Sequence, residues 1–149
     1  MPEALFYHLE PHPLERALPQ LLERTLERKW RAVVRASSDE RLAALDAHLW
    51  TYDADSFLPH GLARDGLAEQ QPVLLTRDDD NPNKANVLFL VDGAPFEGTD
   101  GYDRVVYMFD GRDPDARSTA REGWQAAKAA GFDVTYWQQE PSGRWVKKA

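Results

Sequence analysis

Apolar positions along the chain fall into short blocks with either strand or helix spacing, and the alternation of those blocks defines a fold class. Residues 4–9, ALFYHL, form a compact apolar run stopped by Pro11 and Pro13, which predicts a buried first strand. Leu14, Leu18, Leu21, Leu22 and Thr25 then recur at helical spacing as far as a basic turn at Arg28 and Lys29. WRAVVRA (30–36) is β-branched and apolar and predicts a second strand. Behind it, Ser37-Ser38-Asp39-Glu40 supplies a hydroxyl cap and first-turn acids for the helix RLAALDAHLW. Three more apolar runs follow, PVLLT (72–76), NVLFLVDG (86–93) and RVVYMFDG (104–111), separated by the polar, turn-rich DDDNPNK and APFEGTDGY. Pro114 to Ala130 predicts a third helix that Gly131 stops, and FDVTYW predicts a last strand. Strands alternating with helices indicate an α/β sandwich, largely parallel, with helices on both faces.

Composition narrows the function classes. A chain of 149 residues has room for one core, so residues 1–149 are expected to form one domain, with a polar and mobile tail from about residue 139. A hydrophobic fraction of 42% with 11% aromatic residues belongs to a folded chain, because disordered chains lack the apolar area that offsets ordering entropy. Twenty-five acids against eighteen bases give a net charge of −7, and no Lys/Arg block forms a basic arm. Phosphate binding needs clustered cations, so direct nucleic-acid binding is not the main activity. The absence of cysteine excludes disulfides, thiolate zinc sites and a cysteine nucleophile. The first residues, MPEALFYHLEPHP, carry acids and prolines where a signal peptide needs bases and an apolar centre, and no run reaches the eighteen apolar residues of a membrane helix. A cytoplasmic location is expected.

Candidate chemistry is sparse. Asp92 and Asp110 end apolar runs in LVDG and MFDG, where a carboxylate can hold magnesium or accept a phosphoryl group. That would define a nucleotide-dependent or phosphoryl-transfer enzyme. However, neither GxxxxGK nor GxGxxG occurs, and Asp-Gly after a strand is also ordinary turn chemistry. The four histidines, His8, His12, His48 and His60, lack HxH or HExxH spacing. His8 reads as a satisfied polar group and His48 as a solvent-facing one. There is no GxSxG elbow, and Asp78 to Asp80 lack the ligand spacing of a calcium loop. No metal and no cofactor is expected.

Two constellations remain. In the third helix Arg117, Arg121, Trp124 and Lys128 lie at spacings of four, three and four, along one helical face. A ring flanked by cations suits an acidic peptide that ends in an aromatic; the alternative is a solvated basic stripe beside one core tryptophan. The second constellation is LWTYDADSFLPHGL (49–62), where Trp50, Tyr52 and Phe57 sit among turn formers. Such rings either anchor a partner or fold back over the sheet.

The opening FYHL, the helix ending ERKWR, LDAHLW followed by SFLPHGL, and RxxWxxxKxAGF in the last helix together resemble the chi subunit family of bacterial DNA polymerase III holoenzyme. The similarity spans nearly the whole chain, and LW, six residues, then FLPH is its most specific part. The resemblance implies a Rossmann-like three-layer sandwich without a functional nucleotide site, acting as a non-catalytic clamp-loader adaptor. It implies binding of the acidic, phenylalanine-terminated tail of single-stranded DNA-binding protein by Arg121, Trp124 and Lys128, with Phe109 as apolar wall. Gln125 stands where some relatives have a lysine, which removes one cation and implies a weaker tail contact. Trp50 and Phe57 match the residues that meet a second partner, a psi subunit or another clamp-loader or helicase protein. DNA would be reached only through these partners, within the replisome at the bacterial nucleoid.

Overall fold

The computed structural model describes residues 2–53 and 58–149. Each apolar run becomes a strand of one eight-stranded sheet. The elements are β1 (Glu3–Leu9), α1 (Leu14–Glu27), β2 (Ala32–Arg35), α2 (Asp39–Thr51), β3 (Gly61–Leu62), β4 (Val73–Thr76), β5 (Val87–Leu90), β6 (Arg104–Asp110), α3 (Pro114–Ala129), β7 (Asp133–Gln139) and β8 (Trp145–Lys147). Their spatial order is β3-β4-β2-β5-β6-β1-β7-β8. All neighbours run parallel except the β7–β8 hairpin.

The helices start and stop where the sequence provides the chemistry. Ser38 caps α2 by accepting from the Arg41 N–H at 3.2 Å, and Asp113 caps α3 by accepting from the Asp115 N–H, with Pro114 at the first helical position. Gly131, at φ +88°, ends α3 in the left-handed region that favours glycine.

Strand side chains alternate between faces, so each central strand feeds two cores. Leu9, Val34, Phe89 and Met108 meet Leu18 and Leu22 of α1 and Leu45 and Leu49 of α2. On the opposite face Ala4, Phe6, Tyr107 and Phe109 meet Ala120 and Ala127 of α3. This is the Rossmann-like sandwich, mostly parallel, with helices on both faces.

Two strands were not legible in the sequence. The two-residue β3 lies inside the aromatic segment and extends the β4 edge. The polar tail supplies β8: Trp145 pairs with Gln139 and Lys147 with Trp137, and the Trp145 ring lies 4.7 Å from that of Tyr7.

Candidate functional site

The underside of α3 is made of Ala120, Gly123 and Ala127, all buried, and these small residues let the helix lie close to the sheet. Trp124 is the large side chain on that side. Its ring is half-buried, meeting Phe6 edge-on at 5.5 Å and Tyr136 at 6.0 Å. Phe6 is the cross-strand partner of both Tyr107 and Tyr136 on this face, so three adjacent strands deliver an aromatic floor.

Beside this floor is a hollow of about 260 Å³ lined by Phe6, Phe109, Arg117, Ala120, Arg121, Trp124 and Tyr136. Its size suits one apolar side chain rather than a nucleotide, since small-molecule sites run from roughly 300 to 1,000 Å³. The Lys128 ammonium lies 5.1 Å from the Trp124 ring centroid, a cation–π distance, just outside the lining. Arg117, Arg121 and Lys128 are exposed and make no ion pair among the described residues. Gln125 is exposed and does not line the hollow, because one position along a helix turns a side chain about 100° away.

Sequence spacing identified Arg117, Arg121 and Trp124, but Phe6 and Tyr136 lie more than a hundred residues away from one or other partner and meet only through parallel pairing. Burial raises the pKa of the Tyr136 phenol, with Glu10 adding to the rise and Arg117 and Arg121 opposing it, so the hydroxyl keeps its proton. It shares a hydrogen bond with His8 Nδ1, while His8 Nε2 is buried with no hydrogen-bond partner. Gly111 makes this placement possible, because a Cβ there would lie 1.7 Å from that nitrogen. The Glu10 carboxylate lies 3.7 Å from that nitrogen, beyond hydrogen-bond distance. His48 does not simply face solvent: its Nε2 contacts the Glu15 carbonyl and links α2 to α1.

A larger hollow, about 570 Å³, lies where an open α/β sheet ordinarily binds nucleotides. Its carboxylates are already committed. Asp92 receives the Arg41 Nε at 3.0 Å while Arg41 Nη2 reaches Glu15 at 2.9 Å, and Asp110 accepts from the Arg112 N–H at 3.0 Å. Burial pushes the Glu15 carboxyl up, but hydrogen bonds from its own backbone and from Arg41 outweigh this and hold it below the ordinary glutamate value. The Glu10 and His12 N–H groups of the β1–α1 turn both donate to Gln139 Oε1, at 3.3 and 3.1 Å. Pro11 and Pro13 in that turn have no N–H to offer. A phosphate would thus meet turn donors already occupied and the carboxylates of Asp113, which caps α3, and Asp115. Asp92 ties the loop after β5 to Arg41 of α2 and Asp110 forms a turn, which removes the basis for the phosphoryl-transfer reading. Among the described residues no three His, Cys, Asp or Glu side chains are grouped to hold a metal, and no helix is long and apolar enough to cross a membrane.

Trp50 is on the opposite face from the α3 hollow, in the last turn of α2, and is 49% exposed. Its ring rests 4.1 Å from the buried His60 ring. His60 is fixed between the Leu58 carbonyl, 2.6 Å from Nδ1, and the Asp46 carbonyl and carboxylate, 3.1 and 3.2 Å from Nε2. Phe57 lies outside the described residues.

The features described define a small α/β protein with a cationic, aromatic hollow and a blocked nucleotide crevice, a binding module in its geometry. A sequence model of the family "DNA polymerase III chi subunit, HolC" matches residues 1–135, and the chain belongs to that family. It is 29% identical over 91 residues to a "Probable DNA polymerase III subunit chi" of Rickettsia prowazekii (strain Madrid E), a match covering 61% of this chain and 55% of that protein. The chain thus spans about half the length of that curated relative. Chi is an accessory subunit of the polymerase, a non-catalytic role.

Proposed function

We propose that this chain, folded as one domain in the cytoplasm, binds the acidic C-terminal tail of single-stranded DNA-binding protein in the α3 hollow. It thereby links the clamp loader of DNA polymerase III to coated template. The observation that carries this reading is the convergence of Arg117, Arg121 and the Lys128–Trp124 pair, without ion partners among the described residues, on an apolar hollow sized for one ring. The cations take carboxylates and the floor takes the terminal phenyl group. Trp50, held on His60, is the proposed anchor for a second partner, a psi-like subunit or another clamp-loader or helicase protein, together with Phe57, seven residues on in the sequence. The chain's net charge of −7 suits a protein that reaches DNA through partners and not through phosphates.

A pull-down with a peptide ending Asp-Ile-Pro-Phe tests the tail contact. Wild type is expected to bind with micromolar affinity, weakening as salt rises. Arg121→Ala removes charge-assisted hydrogen bonds of about 1.5–3 kcal/mol, a loss on the order of ten- to a hundredfold. Trp124→Ala should lose at least as much. Retention of the peptide by both variants at wild-type levels refutes the site.

A further inference from the structure

The two faces of β1 border two different hollows. Phe6 points to the α3 hollow, and the next residue, Tyr7, points to the opposite face. There it borders a separate hollow of about 240 Å³ beneath the C-terminal half of α1. We propose that this second hollow is an independent receptor for an acidic peptide segment of a protein partner bearing a bulky apolar side chain.

Arg24, in the last turn of α1, and Arg28, its C-cap, are exposed one turn apart, and neither has an ion pair among the described residues. Like charges at this spacing cost a helix stability. The third guanidinium is that of Arg104, which bonds Glu3. Arg28 and Arg104 both lie against the Trp30 ring, with guanidinium carbons 3.9 and 5.3 Å from its centroid. Arg24, Arg28 and Arg104 thus line the hollow while no carboxylate is among its lining residues, in a chain whose overall charge is −7. The floor is apolar, formed by Val87, Phe89 and Val106.

The ligand chemistry follows from those parts. Guanidinium forks match carboxylates, and the floor accepts an apolar side chain of about the size that fits the α3 hollow. Tyr7 adds a donor: burial raises its pKa against the opposing influence of Arg104 and Arg24, so its phenol stays protonated. A nucleic acid fits less well, because Arg28 already covers the Trp30 ring on which a base would stack. A single compact hollow also offers no track for a phosphate backbone.

The test follows the indole N–H resonances of the full chain labelled with nitrogen-15, titrated at low salt with an acidic peptide ending Asp-Ile-Pro-Phe. Trp30 and Trp124 report the two hollows separately. In wild type the Trp30 resonance is expected to shift saturably. Arg24→Ala combined with Arg28→Ala should weaken the Trp30 response at least about tenfold while leaving the Trp124 response unchanged, with a well-dispersed spectrum showing the fold intact. In Arg121→Ala the Trp124 response should weaken and the Trp30 response persist. A Trp30 resonance that the peptide does not move, or that still moves normally in the double variant, overturns the inference. So does a Trp30 response to oligothymidylate at lower concentrations than to the peptide. Loss of the Trp124 response alone counts against the α3 reading and leaves this receptor standing.

Discussion

Arg35→Met lowers the unfolding free energy by about 3 kcal/mol or more, because each carbonyl that loses a charged donor costs about 1–3 kcal/mol. Arg35 ends the central strand β2 and is 3% exposed. Its Nε donates to the Asp78 carbonyl at 2.9 Å, and its Nη1 donates to the Glu97 and Gly98 carbonyls at 2.8 and 3.3 Å, with the Asp79 carboxylate 3.8 Å away. One guanidinium therefore holds together the loops after β4 and β5. These loops pack closely: Gly98 sits at φ +59°, and a Cβ there would lie 2.8 Å from the Asp79 Cγ. Methionine roughly fills the space of the arginine stem but leaves three carbonyls without their donor. Urea unfolding followed by circular dichroism measures the change, and a loss below about 1 kcal/mol would show that the carbonyls do not depend on Arg35.

Phe6→Ala should cost a comparable amount, about 3–5 kcal/mol, and should also impair the hollow. Phe6 is 1% exposed and stacks on Tyr107 at 5.1 Å and Phe96 at 6.0 Å while supporting the Trp124 ring edge-on. Removing the ring leaves a cavity in the α3-side core and takes away the support that aims Trp124. Phe6→Leu retains most of the volume and should recover most of the stability, but it lacks the edge-to-face contact. Peptide affinity in the folded Phe6→Leu protein should therefore remain below wild type. Equal affinity in Phe6→Leu and wild type would separate the core from the site.

Much of this architecture could be read directly from apolar spacing. The β1, β4, β5 and β6 runs and all three helices fall within a few residues of their expected bounds, because burial on both faces forces continuous apolar strands and one-sided burial forces helical periodicity. β2 is shorter than its run, since Trp30 leaves the sheet to pack beneath Arg28. β8 was hidden because three residues in a polar tail carry no period of their own; pairing with β7 and the contact of Trp145 on Tyr7 define it. The cationic half of the α3 hollow was legible, being local to one helix. Of the aromatic half, Trp124 is local to the same helix and Phe109 came from the resemblance, but Phe6 and Tyr136 were not legible, because the register that sets them side by side comes from strand order, which spacing does not encode. Asp92 looked chemically available in the sequence, and only the distant Arg41 shows that it is spent.

The resting place of a bound terminal phenyl group decides whether the α3 hollow is the tail receptor. Nuclear Overhauser contacts between a peptide ending Asp-Ile-Pro-Phe and the labelled chain locate it directly. The phenyl protons should contact Trp124, Phe109 and Tyr136, and these contacts should vanish in Arg121→Ala. A bound peptide whose phenyl group contacts none of the three would contradict the account.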